Sequence, residues 1–351
     1  MNRTFFEYLG IADMEKIHSQ ILQWILSNDN KSLTSDQKND FISDFLNIQN
    51  FQVLETITEY EKIDILIKSE NRIICIENKL KSSQHSNQLD RYTRSIKKKY
   101  GEIKTCFFFL TFIEEDSNDS NWKNVSYNKL LNALQKLKIE KNTDGLILIE
   151  YIRTLENFST IINEFLEKPS DFINVFYDGS KTKHQKKKEH KNSKQQFISE
   201  NQLETIFQKL YLKKVADLLK LPDYYIIETH GNAILGVPII KNFDIDGINF
   251  NFGFDYQKGT FKTFCTATEY KNSVCSQIPE KIPILLKKAL SKKEQYGYKR
   301  INKPRTKAQY SITKGNKKNI GIDIETFSEL FNSELNLSKT IIYEEIIKNI
   351  C

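Results

Sequence analysis

KIDILIKSENRIICIENK, residues 62–79, decides how the first half of this chain folds. Two isoleucine-rich runs, 62–68 and 72–78, flank the turn-compatible triplet Ser69-Glu70-Asn71 and so pair as an antiparallel hairpin. Side chains on a strand alternate between faces. Asp64 therefore shares a face with Lys62 and Leu66, while Ile63, Ile65 and Ile67 point the other way. On the second run Cys75, Glu77 and Lys79 share one face, and Ile74, Ile76 and Asn78 the other. A register that sets Asp64 beside Glu77 makes a hard oxygen site suited to Mg2+. Lys79, two residues on, is placed to orient or deprotonate a water and to stabilise charge on a phosphate. An acid among isoleucines also demands a partner, because a lone buried carboxylate is costly.

Working outward, Met14, Ile17, Ile21 and Trp24 recur at helical spacing and predict an amphipathic helix over 12–27. A shorter helix is expected over 36–47 and a first strand over 51–57. Downstream, HSNQLDRYTRSIKKK (85–99) reads as a helix, and CFFFLTF (106–112) has the unbroken apolar character of a fully buried strand. A short strand near 124–126 and helices over 127–138 and 144–167 complete the unit. Strands interleaved with helices predict an α/β fold, a mixed central sheet flanked by helices.

KTKHQKKKEHKNSK (181–194) holds seven lysines, one glutamate and no apolar residue. Nothing in it can join a core, so it reads as a linker or exposed basic tract, and it sets the expected domains at 1–180 and 196–351 with a linker at 181–195. The second half predicts a helix over 196–219, stopped at Leu221-Pro222, then strands over 224–228, 233–240, 248–254 and 261–267. Gly231-Asn232 suggests a hairpin. A helix over 281–291 and an amphipathic segment near 338–350 finish a smaller α+β domain.

Charge separates the halves. Residues 1–180 carry 22 Lys and Arg against 27 Asp and Glu, a net of −5, whereas 181–351 carry 30 against 18, a net of +12. A basic half is the electrostatic footprint of a polyanion binder, and equally of a lysine-rich solvated surface. Within it, KKEQYGYKRINKPRTKAQY (292–310) interleaves tyrosines with Lys299, Arg300, Lys303, Arg305 and Lys307, a candidate nucleic-acid surface in which cations meet phosphates and rings stack on bases. The five cysteines, at 75, 106, 265, 275 and 351, form no C-x-x-C pair, which argues against structural zinc or a disulfide scaffold and for a reducing compartment. With no long apolar run and no secretory signal, the expected location is cytoplasmic, with no membrane partner.

Asp64 followed by Glu77-Asn78-Lys79 resembles the PD-(D/E)XK nuclease superfamily, with Ile63 standing where the family name has proline. The resemblance covers roughly residues 10–165 and adds two features. Glu15 opens the first helix, where members often carry a further metal-site glutamate, and EKIHSQILQWIL looks like the start of one bacterial branch. Gln88 and Tyr92, in QLDRY, lie one turn apart on one helix face and match the Q-x-x-x-Y signature of exonuclease-like members. The resemblance implies a restriction-endonuclease-like core and a metal-dependent deoxyribonuclease. Asp64, Glu77 and the carbonyl of Asn78 would bind Mg2+ or Mn2+, with Glu15 completing the shell, and Lys79 would act on the attacking water. Gln88 and Tyr92 would help place DNA, and cleavage would leave a 5′-phosphate and a 3′-hydroxyl. It also associates the chain with bacterial defence against foreign DNA. A catalytically silent nucleic-acid-binding or scaffold protein and an RNase are the alternatives. Assembly as a homodimer, or with a protein partner on the C-terminal domain, stays open. His18, one turn after Glu15, reads as a helix-packing residue, and Lys97, Lys98 and Lys99 as a solvated helix end.

Overall fold

The computed structural model describes residues 2–81, 87–101, 103–113, 115–117, 119–173, 175–178, 193–267, 300–302, 309–315 and 321–349. Two compact units divide the chain: Met1–Glu164 with Lys183–Ile206, and Phe165–Thr182 with Phe207–Cys351.

The first unit is built on a five-stranded mixed sheet of order β1-β2-β3-β4-β5. Its strands are β1 (Glu55–Tyr60), β2 (Ile63–Lys68), β3 (Arg72–Lys79), β4 (Lys104–Thr111) and β5 (Trp122–Ser126). The first three form an antiparallel meander, and β3, β4 and β5 run parallel. Around them lie α1 (Phe5–Leu9), α2 (Glu15–Leu26), α3 (Ser35–Leu46), α4 (Gln88–Tyr100), α5 (Tyr127–Gln135) and α6 (Thr143–Glu167). This is the flanked mixed sheet of a restriction-endonuclease-like core.

Local chemistry sets several boundaries. Thr34 and Gln37 form a reciprocal capping box that starts α3. Ser126 ends β5 and accepts the Lys129 N–H, so strand passes directly into α5. The β1–β2 turn puts Glu61 and Lys62 at φ 52° and 70°, left-handed values that match the twist of a tight hairpin. Phe107 and Phe109 of β4 pack with Leu66, Cys75, Leu89, Tyr92 and Ile96, so α4 closes one face of the sheet. Burying each such side chain stabilises the unit by roughly 1.5–3 kcal/mol. On the α2 side, buried His18 holds Tyr151 of α6 through Nδ1 at 2.9 Å and the Ala12 carbonyl through Nε2 at 2.9 Å. Burial drives His18 down to about 4, which makes it the packing residue its position suggests.

Three expectations need correction. The first strand spans 55–60 instead of 51–57, because its pairing partner β2 sets the register from Tyr60↔Ile63, and Phe51 is buried ahead of it. The single helix over 196–219 is two, Ser193–Glu200 and Glu204–Leu218, broken where Gln202 turns left-handed at φ 51°. The final segment, expected near 338–350, overlaps only the last turn of a longer helix, Ile324–Ile341, and continues as a π turn (Ile342–Ile346) and a 3-10 turn (Ile347–Asn349). The Asp323 carboxylate caps the helix start by accepting the Thr326 N–H at 2.7 Å.

The second unit holds a six-stranded antiparallel sheet of order β10-β11-β9-β8-β7-β6. Its strands are β6 (Tyr225–Thr229), β7 (Asn232–Ile245), β8 (Ile248–Gln257), β9 (Thr260–Ala267), β10 (Arg300–Asn302) and β11 (Gln309–Gly315). His230-Gly231, Asp246-Gly247 and Lys258-Gly259 all take positive φ at both positions, three tight hairpin turns in succession. Helix Ile324–Ile341 seats Phe327 against Tyr256 and Phe331 against Phe254, at ring separations of 4.8 and 5.2 Å.

Candidate active site

The pairs Ile65↔Ile76 and Leu66↔Cys75 fix the β2–β3 register, and one step further it sets Asp64 opposite Glu77. The two carboxyl groups lie close enough for the Asp64 charge to act on Glu77. Glu77 is 1% exposed, and its two oxygens differ. Oε1 accepts Lys79 Nζ at 2.6 Å and Gln88 Nε2 at 2.8 Å. Oε2 is buried with no hydrogen-bond donor among the described residues. Asp64 Oδ2 accepts the backbone N–H of Asn78 at 2.7 Å.

Gln88 and Tyr92 reach the same point from the first turns of α4. Gln88 Nε2 also donates to the Tyr92 hydroxyl at 2.8 Å, and the Gln88 side-chain oxygen is buried without a donor among the described residues. Five of the residues singled out in the sequence therefore meet at one end of β3: Asp64, Glu77, Lys79, Gln88 and Tyr92. Asn78 faces the opposite side. Its amide donates to the Glu15 carbonyl and to Ser19 Oγ, both at 3.0 Å, and accepts the Tyr127 hydroxyl at 2.7 Å. Glu15 is next to the cluster, with Oε1 on the N–H groups of Leu80 and Lys81.

Electrostatics follow from this crowding. Burial and then the Asp64 charge push Glu77 up to about 8. Burial likewise raises Asp64, with Glu15 adding to it and the Asn78 N–H and Lys79 opposing. For Lys79, burial works against the ammonium, but Glu77, Asp64 and Glu15 outweigh it and leave the pKa raised. Two abutting acids, one with a buried oxygen that no donor satisfies, are a donor set that fits a divalent cation. Among the described residues no group of three or more His, Cys, Asp or Glu side chains stands ready around a metal position. The Asp64–Glu77 pair is the available acidic set.

Residues 54–209 match the family model of the PD-(D/E)XK nuclease superfamily. Over this span, less than half of its length, the chain is similar to that superfamily. Members of that superfamily are generally nucleases, phosphodiester hydrolases that typically use divalent metals. Neither a curated protein nor a solved structure matches the chain. The matched span includes Asp64, Glu77, Asn78, Lys79, Gln88 and Tyr92, and begins after Glu15.

Several contributors escaped the sequence. Ser19 and Tyr127 hold Asn78 from 59 and 49 residues away, and Asp13 pairs with Lys81 at 2.5 Å. No local pattern announces such long-range contacts. Of the basic residues expected to meet nucleic acid, Arg300 begins β10, while Lys299, Lys303, Arg305 and Lys307 lie outside the described residues, as do the helix expected over 281–291 and residues 181–192 of the lysine tract. Among the described residues no helix is long and apolar enough to cross a membrane.

Proposed function

We propose that the first unit is a Mg2+- or Mn2+-dependent deoxyribonuclease. The observation that carries the proposal is the meeting of Asp64 and Glu77 with the Lys79 amine 2.6 Å from Glu77 Oε1. Asp64, Glu77 and the Asn78 carbonyl would hold the cation. When bound there, the cation supplies Lewis-acid polarisation of a phosphoryl oxygen and offsets the repulsion between the two acids.

The protein's own groups do the positioning. Lys79, paired with Glu77 Oε1, is placed to orient or deprotonate the attacking water and to stabilise charge on the phosphate. Gln88 fixes the Glu77 carboxylate through Oε1 and takes the Tyr92 hydroxyl as acceptor, which leaves the Tyr92 proton for a phosphate oxygen. Attack in line then leaves a 5′-phosphate and a 3′-hydroxyl. The net charge of +12 over residues 181–351 supports engagement of the DNA backbone by the C-terminal half of the chain.

The test is purified protein with Mg2+ or Mn2+ on linear, circular and single-stranded DNA and on RNA. Wild type is compared with Asp64→Asn and Lys79→Ala. Loss of hydrolysis by about 100-fold or more in both variants supports the proposal. Equal activity in all three proteins removes it, and cleavage of RNA alone changes the substrate.

A further inference from the structure

Within the expected metal set, Asp64 accepts one backbone N–H, that of Asn78, whereas the Glu15 carboxylate takes two on a single oxygen. Its Oε1 accepts the N–H of Leu80 and the N–H of Lys81, each at 3.0 Å. Its own carbonyl accepts Asn78 Nδ2 at 3.0 Å. A single residue at the start of α2 therefore holds β3 on both sides of Lys79. Asp13, 4% exposed at its side chain, adds a second tie through Lys81 Nζ. Leu80 is fully buried, so releasing its N–H would leave a donor without water to replace the carboxylate. Two N–H groups on one carboxylate oxygen are charge-assisted bonds, stronger than neutral ones. Turning Glu15 Oε1 toward a cation at Asp64 and Glu77 would forfeit both.

We propose that Glu15 is a positioning residue that locks the backbone at Leu80 and Lys81, and through it the Lys79 amine, and that it is not a ligand of the divalent cation. This rests on the nuclease reading of the Asp64–Glu77–Lys79 site. The clamp acts on the geometry of a group whose value depends on placement, since a misplacement of about 1 Å costs on the order of 100-fold in rate.

Glu15→Gln keeps an acceptor oxygen and removes the charge, whereas Glu15→Ala removes both, so the pair separates clamp from ligand. Three quantities are measured on the full chain: kcat and KM on DNA, titration with Mn2+ alone by calorimetry, and hydrogen exchange of the Leu80 and Lys81 amides. In Glu15→Gln, kcat and Mn2+ affinity stay within about threefold of wild type. In Glu15→Ala, kcat falls about tenfold or more with KM nearly constant, and exchange at Leu80 and Lys81 accelerates by about tenfold or more. A loss of Mn2+ affinity of about tenfold in Glu15→Gln, with Asp64→Asn as the metal-binding control, makes Glu15 a ligand and overturns the proposal. So does unchanged kcat in Glu15→Ala with only a lowered Tm, or unchanged amide exchange. Should Asp64→Asn and Lys79→Ala hydrolyse DNA as wild type does, the nuclease reading fails by itself. Amide exchange still decides whether Glu15 clamps the strand.

Discussion

Glu77 in the first unit and Asp255 in the second are both acids buried in a sheet, 1% and 6% exposed, and their surroundings are opposites. Asp255 accepts the Tyr225 hydroxyl at 2.8 Å and faces Lys262 across the strand pair. Space for that bond comes from Gly236, where a Cβ would lie 2.0 Å from the Tyr225 ring. Burial raises Asp255, and Lys262 and Tyr225 pull it back. Glu77 meets a second acid instead, and one of its oxygens has no donor among the described residues. A buried carboxylate that its neighbours satisfy is a structural element. One pressed against another carboxylate is destabilising, and such sites persist where function uses the strain.

The largest expected effect comes from Glu77→Gln. Hydrolysis of DNA should fall by about 1000-fold or more. Above about pH 8 the metal-free protein should keep its Tm or gain, because there the Glu77 carboxylate opposes Asp64 and a neutral amide does not. Retained hydrolysis with a lowered Tm would make Glu77 another Asp255 and erase the contrast. Tyr225→Phe tests the other side. It strips the hydroxyl donor from a buried acid and should cost about 1–3 kcal/mol in urea unfolding, with kcat unchanged. Lost kcat at wild-type stability would place chemistry in the second unit.

A smaller effect concerns pH. Glu77 titrates at about 8 in the folded, metal-free protein against 4.5 unfolded. The folded state thus holds a proton that the unfolded chain has already released. The stabilisation is complete below pH 4.5 and is lost as pH rises through about 8. Calorimetric scans without metal should show Tm falling from about pH 5 to 8, with Mn2+ restoring more at pH 8 than at pH 6. A Glu77→Gln protein should lack this component. A metal-free Tm that rises over that window would contradict the crowded-acid picture.

Much of the first unit was legible because its signals are local. Alternation in 62–79 and a turn at 69–71 are enough to predict the β2–β3 hairpin, and with the register they place Asp64 and Glu77 on one face. The Gln88–Tyr92 spacing puts both on one side of α4, and they do meet, at 2.8 Å. The second unit was read less well. Asp246-Gly247 and Lys258-Gly259 are hairpin turns as clear as His230-Gly231, and only the last region was marked. β10 falls in a stretch whose lysines and tyrosines suggested an exposed surface, because composition there is set by charge and hides a three-residue strand. The α1 helix was missed as well, being five residues long with Phe5, Tyr8 and Leu9 exposed, so no buried stripe marks it.

Side-chain alternation and residue chemistry were present in the chain itself: which strands form, which faces carry acids, and which residues can bind a cation or a phosphate. Folding alone decided the partners. The Glu15 carboxylate on Leu80 and Lys81, and the Asn78 amide between Ser19 and Tyr127, join residues 49 to 66 positions apart. Such contacts have no periodic signature. They exist because parallel β3 and β4 require a crossover and the helices must cover both faces, which brings the ends of distant elements to the same edge of the sheet.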